Sequence, residues 1–184
     1  VVFQGLNLLE RTTNQLYVTT SDDDGQSWTP AVRYTDFGEA GGGASADEFD
    51  NQRAAIAVAP DGGILVAWER RLQNASPQIY LAQLAPDGTF GGQVEEVTGR
   101  FELARAPRIV FDNGEPVLLW FTSPRGNSRV VLGRRGGFRW DSETVSSAVG
   151  EATFAAAATL NGLLHVVWQQ RTGDGSQLVH LEPD

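Results

Sequence analysis

Three stretches of this chain reach a tryptophan by the same route. Residues 56–68 (IAVAPDGGILVAW), 108–120 (RIVFDNGEPVLLW) and 156–168 (AAATLNGLLHVVW) each run an apolar segment, a tight turn and a second apolar segment. The turns, Asp61-Gly62, Asn113-Gly114 and Asn161-Gly162, carry the residues that hairpin turns with positive φ demand. Trp68, Trp120 and Trp168 stand 52 and 48 residues apart. That period fits propeller blades of four strands better than the shorter repeats of helical solenoids. A polar loop and a third strand follow each tryptophan, at 78–84, 128–133 and 176–181, and a fourth strand follows in two repeats, around 93–98 and 140–145.

The strand composition agrees with sheets stacked face to face. A strand buried on both faces becomes continuously apolar instead of alternating, and 64–68 and 117–121 read that way. Gln93-Val94-Glu95-Glu96-Val97 is more polar, as a rim strand should be. Residues 154–159 are Ala-rich and by propensity favour helix. The segment is too short for a stable isolated helix, however, and it holds the first-strand position ahead of Asn161-Gly162, so it is expected to be a strand. Val1-Val2-Phe3 aligns with a second strand, Phe3 standing where Trp68 stands in its repeat.

The expected fold is therefore all-β: a partial β-propeller of four-stranded antiparallel blades, about three and a half of them. A partial blade at 1–36, blades at 52–98 and 104–147, and a partial blade at 152–184 hold fourteen strands. A first strand is missing at one end and a fourth at the other. Further propeller blades or a second chain are expected as partners, because open edges invite association. The expected core is Ile56, Val58, Leu65, Trp68, Ile109, Leu118, Trp120, Leu164, Val166 and Trp168.

Charge narrows the partners. The chain has 14 basic residues, all Arg, against 23 acidic ones, a net charge of -9. The arginines are scattered singly or in pairs, which leaves a nucleic acid nothing to neutralise its phosphates. No apolar run approaches the roughly 18 residues needed to cross a bilayer. Cysteine is absent, so disulfides and thiolate sites are excluded. No zinc spacing, phosphate loop or nucleophile elbow appears, and no metal or cofactor is expected.

Residues 21–28 (SDDDGQSW) lie between a third and a fourth strand and fit Ser/Thr-x-Asp-x-Gly-x-x-Trp. A carboxylate at Asp23 can accept N–H groups across the turn, Gly25 supplies a backbone conformation other residues resist, and Trp28 can turn back to fill apolar space beneath the hairpin. On these residues the chain resembles the bacterial neuraminidase repeat, with its Asp box, of sialidases and related propellers. Residues 133–140 (GRRGGFRW) fall in register, Gly137 and Trp140 matching Gly25 and Trp28 while Arg135 replaces the Asp; residues 84–90 keep only Asp87-Gly88 and an early aromatic. The resemblance implies that Ser21, Asp23, Gly25 and Trp28 form a folding element on the face away from the active site. The spacing of a helix-loop-helix calcium loop is absent there.

The resemblance also implies inward arginines, the first in an Arg-x-Pro motif at the start of an innermost strand. Arg105-Ala106-Pro107 matches, nine residues before Gly114, and Arg53 lies nine before Gly62; Thr153 takes that place in the third repeat. Arg53 and Arg105 are thus the candidate binders of an anionic group. The rest of the implied chemistry, a Tyr nucleophile polarised by Glu and an Asp acid/base, finds no counterpart. Loops 70–77 and 122–127 contain neither Asp nor Glu, Tyr17 and Tyr80 read as packing residues, and Tyr34 falls on a fourth strand. Glu10 and Asp174, the carboxylates well inside the equivalent loops of the first and last repeats, read equally as catalytic candidates and as solvated loop charges, and His165, on an inner strand, as a hydrogen-bonded structural histidine. Residues 37–52, Gly-rich then acidic, read as a linker, with a lid as the alternative. No catalytic residue is assigned.

The expected function is a non-catalytic sialidase-like module that binds a glycan or protein partner outside the cytoplasm, in the extracellular space or cell envelope as the resemblance implies. One alternative is an exo-sialidase or related glycoside hydrolase whose remaining catalytic residues lie outside this chain. The other is a structural subunit that completes a propeller with another chain.

Overall fold

Every strand pairing is antiparallel, and every sheet is a meander in chain order. The computed structural model describes residues 1–6, 13–38, 43–85, 89, 91–99, 102–123 and 126–181. The first sheet contains β1 (Val2–Leu6), β2 (Asn14–Val18) and β3 (Val32–Arg33). The second contains β4 (Phe49–Val58), β5 (Ile64–Leu72), β6 (Gln78–Leu84) and β7 (Glu95–Glu96). The third contains β8 (Ala104–Asp112), β9 (Glu115–Thr122), β10 (Arg129–Gly136) and β11 (Arg139–Thr144). The fourth contains β12 (Glu151–Leu160), β13 (Leu163–Thr172) and β14 (Gly175–Leu181). Among the described residues there is no α-helix, and a 3-10 turn runs over Ala46–Glu48.

The sheets stack in chain order through three apolar layers. Leu16, Val18 and Tyr34 meet Val66, Trp68, Ala82 and Leu84. Ala67, Ile79 and Leu81 meet Ala104, Ile109, Leu118, Trp120 and Val131. Val117, Leu119, Val130 and Leu132 meet Ala152, Ala155, Leu164, Val166 and Trp168. Alternate residues of β5, and of β9, thus feed two different layers, which is the physical reason their sequences are continuously apolar. The chain is a partial β-propeller. Phe3 pairs with Tyr17 as Trp68 pairs with Tyr80, so β1 holds the second-strand position of its sheet. Ala152 and Ala155 of the Ala-rich β12 are buried, and tertiary burial overrides the helix propensity.

Turn chemistry fixes two of the three hairpins as the sequence suggests. Asn113 (φ 50) with Gly114 (φ 86), and Asn161 (φ 54) with Gly162 (φ 78), form two-residue loops left-handed at both positions. Asp61-Gly62 departs from this. The ladder ends at Val58 and Ile64, leaving a five-residue loop in which Gly62 (φ 87) is the left-handed residue and Asp61 Oδ1 accepts the Gly63 N–H at 2.9 Å.

The short fourth strands are completed by hydroxyls. Leu16 N–H donates to Thr35 Oγ1 (3.0 Å), Ile79 N–H to Thr98 Oγ1 (2.9 Å) and Val130 N–H to Ser146 Oγ (2.9 Å). A side-chain oxygen thereby takes over a ladder bond at the same place in three sheets.

Two expected core residues are corrected. Trp68, Ile109, Leu118, Trp120, Leu164, Val166 and Trp168 are buried and Leu65 is half-buried, but Ile56 is 43% and Val58 64% exposed. Both lie on the side of β4 that faces the first sheet, paired with Val66 and Ile64. That sheet's innermost described strand is β1, in second-strand position, and nothing described covers the first-strand place beside them.

Candidate functional site

The innermost strands break their ladders at one common place. Register shifts fall between Gln52 and Ala55 in β4, Arg105 and Arg108 in β8, and Thr153 and Ala156 in β12. The backbone is left-handed at Arg53 (φ 52), Ala106 (φ 51) and Phe154 (φ 53). A bulge re-aims side chains and frees backbone groups from the ladder. Three of them in successive sheets form the mouth at one end of the stack. Just before each bulge, Gln52 pairs with Glu69, Arg105 with Phe121 and Thr153 with Gln169, each partner being the residue after the repeated tryptophan.

These registers correct the relation between the two candidate arginines. Arg105 is equivalent to Gln52, and Arg53 to Ala106 and Phe154. Counting back from the turn glycine misplaces them by one residue, because the loop at Gly62 is five residues long and that at Gly114 only two.

Arg53 is already occupied. Its guanidinium donates to Glu69 Oε2 at 2.6 Å, and the same oxygen accepts the Ala106 N–H at 3.2 Å. Glu69 is 5% exposed, so a buried carboxylate is compensated by a guanidinium and a backbone N–H, one from each of two sheets. The junction before it has the same form, Gln4 Oε1 accepting the Arg53 N–H at 3.1 Å. Arg105 differs. It is exposed, makes no ion pair among the described residues, and lies directly across from Phe121 on the side of the third sheet that faces the fourth. Thr153 Oγ1 donates to Gln169 Oε1 at 3.2 Å.

A second carboxylate at this end, Asp50, is also engaged. Its Oδ1 accepts from Asn14 N–H (2.9 Å) and Nδ2 (2.8 Å), and its Oδ2 from Gln52 and from Arg71 (3.0 Å). Glu69 lies on β5, one residue upstream of the loop 70–77 in which the resemblance looks for a carboxylate. The available signal was the position itself: Gln4, Glu69, Phe121 and Gln169 each follow the repeated aromatic.

The other candidates take structural places. Tyr17 stacks on Phe3 with centroids 5.8 Å apart, and Tyr80 packs on Trp68 at 5.9 Å. Tyr34 is buried, its hydroxyl donates to Gln83 O at 3.2 Å, and burial pushes its phenol pKa up. Asp174 sits in the turn between β13 and β14, while Glu10 lies outside the described residues. His165 Nδ1 and His180 Nε2 are 3.1 Å apart on the outer side of the fourth sheet. Within 37–52, Phe37 packs edge-on against Trp68, and Arg70 lies over the Phe37 ring at 4.4 Å while donating to Phe37 O (3.0 Å) and Gly38 O (3.3 Å). Asp47 pairs with Arg33 at 2.8 Å; positions 39–42 lie outside the described residues. The described part of this segment is therefore pinned to the core at both ends. Among the described residues no three potential metal-ligating side chains gather, and no helix is long and apolar enough to cross a membrane.

The turn at 21–28 occupies the opposite end of the stack. Asp23 Oδ1 accepts Ser27 N–H (2.9 Å) and Ser21 Oγ–H (2.7 Å), and Oδ2 accepts Ser27 Oγ–H (2.6 Å). Hydrogen bonds from the Ser27 hydroxyl and N–H, then from Ser21, hold its pKa down to about 2. Gly25 has φ 86, and its carbonyl accepts the Trp28 indole N–H at 3.1 Å. Trp28 folds over this turn and stays 48% exposed, so it does not fill the space beneath the hairpin. Residues 133–140 adopt a different structure, a two-residue hairpin at Gly137-Phe138 with Arg135 opposite Trp140. Both side chains reach Glu95 of the neighbouring sheet, the Trp140 indole at 2.8 Å and Arg135 through an ion pair. Asp87 and Gly88 lie outside the described residues.

No protein-family model and no curated protein matches the sequence. Solved structures match the fold. An endo-arabinase from Bacteroides thetaiotaomicron VPI-5482 is similar at 16% identity and TM-score 0.61, over 94% of this chain and 66% of that one. An exo-1,5-α-L-arabinanase from a bovine ruminal metagenomic library is similar at 13% identity and TM-score 0.59, over 93% and 65%. Hadza microbial sialidase Hz136 is similar at 18% identity and TM-score 0.64, over 91% of this chain and 38% of that one. The chain thus spans just under two thirds of the length of the two arabinan-degrading proteins. At these identities the likeness shows the fold, a propeller of the kind glycosidases use.

Proposed function

We propose that this chain is a non-catalytic β-propeller module that binds a glycan, outside the cytoplasm, at the end of the stack where the three bulges gather. The observation that carries this reading is Arg105, exposed, in no ion pair among the described residues and paired across the ladder with the aromatic Phe121. A planar donor next to an apolar ring suits a saccharide, which offers acceptor oxygens and a C–H face. Binding rather than turnover is favoured by Glu69 and Asp50, the carboxylates that β4 and β5 of the second sheet place at the mouth. Glycoside cleavage needs an acid and a second carboxylate free to meet substrate, whereas Glu69 and Asp50 are both committed as acceptors within the protein. The similarity to arabinanases and a sialidase supports a glycan ligand, and residues 21–28 support the sialidase-like branch.

The test is a glycan array combined with hydrolysis of fluorogenic sialoside and arabinofuranoside. Binding without turnover, lost in Arg105→Ala, is the expected result. Turnover abolished by Arg105→Ala refutes the non-catalytic reading, and an array without a bound glycan refutes the ligand class. A second reading, that further blades or another chain cover the outer sheets, is favoured by exposed apolar residues there: Phe3 (41%) on β1 and Leu178 (78%) on β14. Mass measurement in solution tests it for self-association, with a monomer at all concentrations as the refuting result.

A further inference from the structure

The 184 residues include two histidines and no cysteine, and the fold brings both imidazoles to one spot. His165 is on β13 and His180 on β14. The ladder pairs Val167 with His180, so His165, two residues from Val167, stands on the same side of the sheet and diagonally across from its partner. His165 Nδ1 and His180 Nε2 are 3.1 Å apart, while the ring centroids are 5.3 Å apart with the planes at 17°. The two nitrogens therefore lie between the rings, edge toward edge.

The repeat shows that imidazoles are a departure at this place. His165 stands three residues before Trp168, where the second and third sheets have Leu65 and Val117. His180 follows Val179, the ladder partner of Trp168, and the residues that follow the partners of Trp68 and Trp120 are Leu81 and Leu132. All four apolar counterparts pack into a layer covered by the next sheet. Among the described residues no further sheet lies on this side of the fourth, and two nitrogen donors take their place. Solvent reaches them: His180 is exposed and His165 half-buried, and the neighbouring β12 residues, Ala158 opposite His165 and Ala156 opposite Val167, are small and exposed.

A hydrogen bond joins the rings, yet the same spacing suits a shared ion. Zinc–nitrogen bonds of about 2.0–2.1 Å meeting at a tetrahedral angle set two nitrogens about 3.3–3.4 Å apart. The rings need to open by only a few tenths of an ångström from 3.1 Å, and accessible side chains on one face can turn that far. The net charge of -9 draws cations to the chain.

We propose that His165 and His180 form a two-nitrogen site for a divalent transition-metal ion of the kind imidazole prefers, such as Zn²⁺, Ni²⁺ or Cu²⁺, with water in the remaining positions. Bound there, the ion ties β14 to β13. The site lies four residues, about 13 Å, along β13 from Gln169 at the mouth, and it is independent of the glycan-binding reading.

Zn²⁺ is the probe. Calorimetric titration of the chelator-stripped chain should give one ion per chain. His165→Ala and His180→Ala each leave a single donor and should weaken binding at least about tenfold, no less than the loss seen when only the outer partner of a ligand is removed. An excess of Mg²⁺, which takes oxygen ligands, should not displace the ion. In the unaltered chain, Zn²⁺ should shift the ring-nitrogen NMR signals of both histidines and slow amide exchange along β14, a readout that stands even where a variant fails to fold. Zinc binding of equal strength in the doubly substituted chain, displacement by Mg²⁺, a shift at one ring alone, or no binding overturns the proposal and leaves the pair a hydrogen bond.

Discussion

Replacing Trp68 measures the central claim that the sheets are stacked about a shared interior. Trp68 is fully buried between the first and second sheets, with Tyr34, Phe37 and Tyr80 rings 5.9, 6.1 and 5.9 Å from it. Its indole N–H donates to Asn51 Oδ1 at 3.0 Å, and Asn51 Nδ2 donates to Gln15 Oε1, which also accepts the Thr35 hydroxyl. Trp68→Ala therefore removes the ring, leaves a cavity and takes a donor from a buried amide. The first two effects together cost about 3–5 kcal/mol, and the orphaned acceptor adds about 1–3 kcal/mol unless water enters the cavity. Such a loss consumes much of the stability of an ordinary domain, about 5–15 kcal/mol. Trp68→Phe keeps an apolar ring and isolates the polar part, so it should cost about 1–3 kcal/mol and remain measurable if the Ala variant does not fold. Trp28→Ala is the control, because that ring is 48% exposed; it should cost about 1 kcal/mol or less. Urea unfolding followed by circular dichroism reads all three, with unchanged m-values confirming that the same surface unfolds. If Trp68→Ala and Trp28→Ala cost the same, sheet stacking around Trp68 is refuted.

Three further outcomes follow from particular contacts. Asp23 is held down to about 2 by its hydrogen bonds from Ser27 and Ser21, against an ordinary value of 3.8. Its contribution to the turn is therefore complete above about pH 4 and fades as pH falls through about 2; a carboxyl NMR titration with a midpoint near 4 would show that the turn is not formed. Thr98→Val should cost about 1 kcal/mol by removing the acceptor of the Ile79 N–H. Thr35→Val should cost more, since that hydroxyl also donates to Gln15; equal costs in urea unfolding would contradict the difference between the two sites. Glu69→Ala should destabilise by about 1–3 kcal/mol and speed exchange of the Ala106 amide, and unchanged exchange there would rule out the cross-sheet contact.

The strands and their order were legible in the residues because each depends on local rules. Continuous apolar runs report burial on both faces, Asn-Gly pairs at 113–114 and 161–162 force tight hairpins, and the tryptophans mark equivalent depths. Local information also placed the Ala-rich β12, once its position in the repeat outweighed propensity. What lay beyond it was every contact made between sheets. The five-residue loop at Gly62 shifted Arg53 out of equivalence with Arg105, and Ile56 and Val58 look like core until their neighbouring sheet is known. Glu69 meets Arg53 and Ala106 because the sheets turn their edges toward one another. Sequence period sets which residues share a depth in the stack; the angle and separation of neighbouring sheets set which of them touch, and those are fixed only when whole layers pack.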